Sequence, residues 1–370
     1  MLQKTLGRIL GCALLSYGGT ALAFTLIQLP PELLPSSTIT SSLTLPAQVQ
    51  PIAGAIRSQI FGLRRPGSSR DKDVTQVGGM MLAANAYSGS SSDFNYLAAA
   101  DASGAGGGIG GRNSHSLWIS STNDSLENTF SRTAFYGATQ NVLVGYDFTR
   151  SDKYVFGISG GYEASNFATK FNFGNEKTSG YNINPYFAWL LSDKWSLDFI
   201  GGYGWFDTKQ SRTVGTGVLT MTAVDSDFSS KRGFASSNAT GIWTLGNWKL
   251  TGSLGYLLSK RDQDGYTENG GLPVAESKQT SKQWNLLGEV AYGRGNSEGF
   301  FGARYEDIQN YQKVELTAGE QPANDPSSVM LSAGWRYFGR GLTASFVFSG
   351  RVGQEQVKEH GISMVLRADL

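Results

Sequence analysis

From Gly180 to Asp207 the chain reads GYNINPYFAWLLSDKWSLDFIGGYGWFD. Tyr181, Ile183, Pro185, Phe187, Trp189 and Leu191 alternate with Asn182, Asn184, Tyr186 and Ala188. After Ser192, Asp193 and Lys194 the alternation resumes through Trp195, Leu197, Phe199, Tyr203 and Trp205. A period of two sustained over ~10 residues predicts a strand with one apolar face, and two such strands across a short polar turn predict an antiparallel hairpin. Aromatic residues near both ends of the apolar face are the mark of strands that cross a membrane, because aromatic rings settle at the two lipid–water boundaries.

The same pattern recurs down to the C-terminus. Twelve alternating segments are centred on 117–120, 141–149, 154–162, 181–191, 195–206, 234–245, 248–259, 284–292, 300–306, 329–338, 342–352 and 362–370. Short turns at 150–152, 192–194, 246–247, 293–299 and 339–341 alternate with long polar stretches at 122–132, 165–179, 208–232, 260–282 and 307–327. That asymmetry predicts an outer-membrane barrel with its turns in the periplasm and its loops outside. An even strand number puts both chain ends on the periplasmic side, and the N-terminal helix described below is expected to start from there. Pro185 lies mid-strand, where it cannot donate to a ladder, so a bulge or a ladder end is expected at that point.

Parity assigns the faces. Trp248, Leu250, Leu254, Tyr256 and Leu258 share one parity, as do Val329, Leu331, Ala333, Trp335 and Tyr337, and these are assigned to lipid. The other parity carries Asp147, Asp198, Glu289, Arg304, Glu306, Arg336, Arg351, Arg367 and Asp369. A basic residue on the lipid face at the midplane costs about 2 to 4 kcal/mol, so these charges are assigned to a lumen that is hydrated, plugged or paired. Acids at Glu163, Asp207, Asp225, Asp227, Asp262 and Asp264 are expected at the outer rim.

Ahead of the barrel, Val49, Ile52, Ala53, Ile56, Ile60 and Leu63 recur at steps of three and four, which predicts an amphipathic helix over 47–65 with Pro51 in its first turn. A lumen of about twelve strands has room for one helix of about 10–12 Å diameter. The helix is therefore placed inside it, with Arg57 and Arg64 facing lumen carboxylates. Residues 24–45, rich in Pro, Ser and Thr, read as a loose exposed tail, and 68–111 as a Gly/Ser-rich linker. Residues 1–23 combine Lys4 and Arg8, an apolar run and Ala21-Leu22-Ala23, the pattern of a cleavable secretory signal. The expected division is thus a signal peptide at 1–23, a short N-terminal segment at 24–111 and a barrel at 112–370.

Composition narrows the function classes. Of 370 residues, 31 are Lys or Arg and 30 Asp or Glu, so there is no basic footprint for nucleic acid. The one cysteine, Cys12, lies in the expected leader, which leaves no thiol for disulfides or catalysis. Residues 106–111 satisfy G-x-G-x-x-G without the strand, helix and distant acid that a dinucleotide site needs. Residues 157–161 satisfy G-x-S-x-G but lie mid-strand, where close packing of strand glycines explains them better than a nucleophile elbow. His115 and His360 have no second ligand at metal spacing. No cofactor, metal or catalytic residue is expected.

The stretches SLWISS, RTAFYGATQNVLVGYD, GISGGYEASNF, GYNINPYFAWLLSDKWSLDFIGGYG and GNWKLTGSLGYL, in this order, resemble the translocator domain of autotransporters, the barrel of type V secretion. The resemblance covers roughly Leu117 to the C-terminus. It implies a single all-β, up-and-down barrel of about twelve strands in the Gram-negative outer membrane, with a helix in its lumen. It also implies export or display of an N-terminal segment, without catalysis, and help from the barrel-assembly machinery. Outer-membrane lipid and lipopolysaccharide are the expected surroundings, and a monomer the expected state. Two rivals from other classes are a small channel with a charged lumen and a surface adhesin acting through 208–232 and 260–282.

Overall fold

The structure, a computed structural model, describes residues 35–62, 114–150, 153–215, 221–309, 322–323, 325–339 and 342–370. The expected leader at 1–23, the 68–111 stretch with its G-x-G-x-x-G, and Arg64 lie outside the described residues. One helix, α1 (Ser36–Gly62), precedes β1 (Ser114–Asn128), β2 (Phe135–Arg150), β3 (Tyr154–Thr169), β4 (Gly174–Leu190), β5 (Trp195–Gly215), β6 (Met221–Leu245) and β7 (Trp248–Gln263). Then follow β8 (Tyr266–Thr267), β9 (Pro273–Val274), β10 (Ser277–Arg294), β11 (Ser297–Ile308), β12 (Ser327–Phe338), β13 (Leu342–Val352) and β14 (Val357–Asp369). All strands but β8 and β9 form one closed antiparallel barrel of twelve, each pairing with its neighbours in the chain and β14 closing on β1. Closure leaves no free edge, as a sheet in lipid requires.

Outside the barrel, the apolar band is bounded by two aromatic girdles. On β4, Trp189 and Tyr181 are eight residues apart, as are Trp248 and Tyr256 on β7, Tyr292 and Trp284 on β10, and Trp195 and Tyr203 on β5. Eight residues at about 3.3 Å, on strands tilted by about 40°, give roughly 20 Å of height, close to the apolar band of an outer-membrane barrel. Rings meet across strands in both girdles: Trp248 and Tyr292 at 5.0 Å on the turn side, Tyr256 and Trp284 at 4.7 Å on the loop side.

The turns are tight. Gly246 takes a positive φ of 61° in the two-residue link between β6 and β7, a backbone shape that a Cβ would strain. On the loop side the strands run on where loops were expected. β5 and β6 stay in register up to Gly215 and Met221, consuming most of 208–232, and only residues 170–173 separate β3 from β4. The reason is that alternation persists above the lipid with the outward positions turned polar: Arg212, Val224, Ser226, Phe228 and Ser230 are buried, while Lys209, Asp225, Asp227 and Ser229 are exposed. A strand without an apolar outer face reads as loop in sequence.

At Pro185 the ladder to β5 lapses for Asn184 and Pro185, which face Gly202 and Gly201, and resumes in the same register at Tyr186 and Ile200. This is a gap with no extra residue, not a bulge, and Pro185 keeps its place opposite Ile158 on β3.

The helix departs from expectation in three ways. It begins at Ser36, eleven residues before the expected start, so residues 36–45 are helix and not tail. Pro46 and Pro51 both lie inside it, where each costs about 3 kcal/mol relative to Ala in an exposed helix. And it runs the opposite way. Ser36 sits by Thr169 and Asn172 at the loop side, whereas Arg57 reaches Asp198 near the turn-side start of β5. Its 27 residues span about 40 Å, the length of the barrel.

Candidate functional site

The site is the lumen, and α1 is its main occupant. The apolar stripe of α1, through Ile52, Ala53, Ile56 and Ile60, packs on Trp118, Leu143, Val155, Tyr186, Ala188 and Ile200 of the wall. Higher up, Leu45 and Val49 pack on Leu257. The periodicity in the sequence thus marks a real face, yet the polar face is buried as well. Gln48 accepts from Arg232 Nη1 at 2.7 Å, and Thr40 Oγ1 donates to Glu176 Oε2 at 2.6 Å. Ser37 N donates to Gln210 Oε1 at 2.9 Å, and Asn172 Nδ2 donates to Ser36 Oγ at 3.1 Å. These bonds explain why a Ser/Thr-rich segment with weak helix propensity is helical: the wall rewards its hydroxyls more than propensity penalises them.

Near the turn side, Arg57 Nε donates to Asp198 Oδ1 at 3.1 Å and a second guanidinium nitrogen to Ser236. Asn238 Nδ2 also donates to Asp198, at 3.2 Å. Both charges are out of solvent, at 1% and 0% exposure. Among the described residues this is the ion pair between helix and wall.

The other charged positions inferred from parity form three clusters on the inward face, with only Asp369, at the end of β14, exposed. Arg336 bridges Glu289 at 2.7 Å and Glu298, Lys249 Nζ adds to Glu298 at 2.6 Å, and the Phe300 ring lies 3.7 Å under the guanidinium. Arg351 bridges Glu306 and Glu359, both at 2.7 Å, with Arg304 also on Glu306. Arg367 reaches Asp147 at 3.4 Å and Asp369 at 3.0 Å, and Tyr186 donates to the same Asp147 while accepting from Trp118 Nε1 at 2.9 Å. Close glycines make room for that cluster. A Cβ at Gly157 would fall on the Tyr186 ring, and one at Gly145 on the Trp118 ring. Gly157 is the first glycine of the G-x-S-x-G match, and Ser159 is buried, accepting from Asn184 Nδ2 at 3.2 Å.

Parity reasoning missed several inward charges: Glu176, Arg212, Arg232, Lys249, Arg261, Glu268, Glu298 and Glu359. Lys249 was legible, since it alternates with Trp248 and Leu250. Glu163, expected at the rim, is instead buried in the lumen and paired with Arg232, because β3 continues six residues past it. His115 meets Tyr146 on the turn side, and no group of three or more His, Cys, Asp or Glu gathers as a metal site among the described residues.

The loop-side mouth carries a lid. The connection between β7 and β10 folds β8 and β9 inward, stacking Tyr266 on Phe228 at 4.5 Å and placing the Tyr266 hydroxyl 3.5 Å from Ser37 Oγ of α1. Glu268 takes two bonds from Arg212, each 2.8 Å, at a buried position.

A closed twelve-stranded barrel with two aromatic girdles and a helix through its charged lumen has the architecture of an outer-membrane barrel with an occupied lumen. The family model described as Autotransporter beta-domain matches residues 117–346, and the chain belongs to that family, whose members are barrels of type V secretion in the Gram-negative outer membrane and whose role is export of a passenger. Similar solved structures include the translocator domain of the autotransporter NalP from Neisseria meningitidis, 15% identical, covering 69% of this chain and 88% of that chain with a TM-score of 0.57. The beta domain of the Bordetella autotransporter BrkA is 15% identical, with 70% and 100% covered and a TM-score of 0.56. The transport unit of AIDA-I from Escherichia coli is 12% identical, with 69% and 90% covered and a TM-score of 0.52. No curated protein matches the chain.

Proposed function

We propose that this chain is a non-catalytic translocator whose lumen holds α1 as it stands after export, with whatever precedes Ser36 delivered to the cell surface. The observation that supports this is the direction of α1. Its N-terminus is bonded to Thr169, Asn172 and Gln210 at the loop-side mouth, and its Arg57 is bonded to Asp198 near the turn side. In an outer membrane the loop side faces outward. The Ser36 end of α1 then faces the external mouth and its Gly62 end the periplasm. On this reading the leader at 1–23 directs export to the periplasm, the barrel-assembly machinery inserts the barrel, and the finished protein is a monomer among outer-membrane lipids.

The test is an epitope placed after Phe24, probed with protease on intact cells. Cleavage from outside is the expected result. Protection until the outer membrane is opened would overturn the proposal.

A further inference from the structure

The N-terminal end of α1 sits in a collar of wall residues, and one member of that collar also holds the lid. Asn172 Nδ2 donates to Ser36 Oγ at 3.1 Å, Thr169 Oγ1 lies 3.0 Å from the same oxygen, and Thr40 Oγ1 donates to Glu176 Oε2 at 2.6 Å. The N–H groups of a helix's first turn need acceptors outside the helix, and that of Ser37 finds Gln210 Oε1 at 2.9 Å. The other end of this amide, Gln210 Nε2, donates to the Tyr266 hydroxyl of β8 at 3.4 Å. Ser37 Oγ lies 3.5 Å from that hydroxyl. An amide has its acceptor at one end and its donors at the other, so the bond from Ser37 sets which end Gln210 turns toward Tyr266. Gln210 is 3% exposed, which leaves little water to take over either bond.

A second set of lid anchors belongs to the wall. Asp264 N donates to Ser229 O at 3.0 Å and Asn269 N to Asp225 O at 3.0 Å, while Asn269 Oδ1 accepts from Asp225 N at 3.1 Å. Glu268 is paired with Arg212, two residues beyond Gln210 on the inward face of β5. These bonds hold the lid to β5 and β6 and do not involve α1. Tyr266 is where the lid meets the helix.

We propose that the lid is a latch that responds to the presence of α1. With Ser37 in its collar, Gln210 presents its N–H to Tyr266 and the lid shuts the external mouth. Without that helix end, Gln210 loses the bond that orients it, Tyr266 loses both partners, and the lid lifts more often. By reciprocity, the shut lid also holds the first turn of α1 in place. The latch rests on the translocator reading for its use: a mouth that shuts on a seated helix stays passable until the helix arrives.

The experiment uses the purified full chain in detergent micelles, with chymotrypsin cutting after residue 266, a site cleaved with either Tyr or Phe there. S37P removes both the N–H and the hydroxyl, and Pro is tolerated in the first turn of a helix. Its cutting rate is expected to rise roughly fivefold, the worth of about one neutral hydrogen bond. Y266F keeps a ring on Phe228, should raise cutting by a similar factor alone, and should add nothing to S37P. E268Q breaks a bond to the wall and should raise cutting by the same factor with or without S37P. Unchanged cutting in S37P, or S37P and Y266F effects that multiply, would overturn the proposal. Heat-modifiable migration on gels reports barrel closure in every variant. If S37P does not close, deletion of residues 36–62 takes its place in the same comparison with Y266F. The epitope test of export is read on cells, so a failure of the latch and a failure of the translocator reading are distinguishable.

Discussion

Arg57 of α1 and Asp198 of β5 meet at 3.1 Å with neither side chain reaching solvent. The pair ties the helix to the wall near the turn-side end, with Ser236 accepting from the Arg57 guanidinium and Asn238 donating to the same Asp198 oxygen. Removing one partner from such a pair costs about 3–5 kcal/mol, whereas removing both costs much less. R57A is therefore expected to loosen α1 strongly, and R57A/D198A to restore much of the loss. Protease sensitivity of α1 in the folded barrel is the readout, and a double variant as sensitive as R57A would contradict a direct pairing.

Deletion of residues 36–62 is expected to leave a closed barrel that still migrates faster before boiling. Because α1 spans the lumen, the deleted form should conduct in planar bilayers far more than the intact chain. Equal conductance would mean that the helix does not obstruct the lumen.

Glu268 holds the lid through two bonds to Arg212. E268Q removes the charge, and buried charge-assisted bonds are worth about 1.5–3 kcal/mol each. Cutting of the 264–276 connection by added protease should rise at least about tenfold, since about 1.4 kcal/mol shifts an opening equilibrium by that factor. The barrel itself should stay closed. Unchanged cutting would show that the lid is secured by its other contacts, the Tyr266–Phe228 stack and the bonds of Tyr266 and Asn269, without this ion pair.

At Gly157 a Cβ would collide with the Tyr186 ring and push its hydroxyl from Asp147. G157V is expected to destabilise the barrel by about 1–3 kcal/mol, the usual cost of overpacking. The temperature at which the folded band converts to the unfolded one on a gel should fall. S159A, which touches only the bond from Asn184, should shift it much less. A larger shift for S159A than for G157V would refute the packing account of this motif.

Residues lying in the band between the girdles were readable one by one. Trp248, Leu250 and Leu254 against Lys249, or Tyr181 and Ile183 against Asn182 and Asn184, declare their faces because lipid on one side and a polar lumen on the other impose opposite chemistry on alternate positions. Where β5 and β6 rise out of the lipid, that contrast is lost. Lys209 outside and Arg212 inside are both polar, so the sequence there looks like loop.

The sequence by itself determined the strand number, the alternation of faces, the tight turns such as Gly246, and the inward placement of Asp147, Arg336 and Arg367. All of these follow from local periodicity. Only the tertiary structure decided which charges pair, that Ser36, Ser37 and Thr40 continue the helix, and that α1 points its N-terminus outward. Those outcomes depend on bonds between residues more than 130 positions apart, made only once the barrel has closed around the helix.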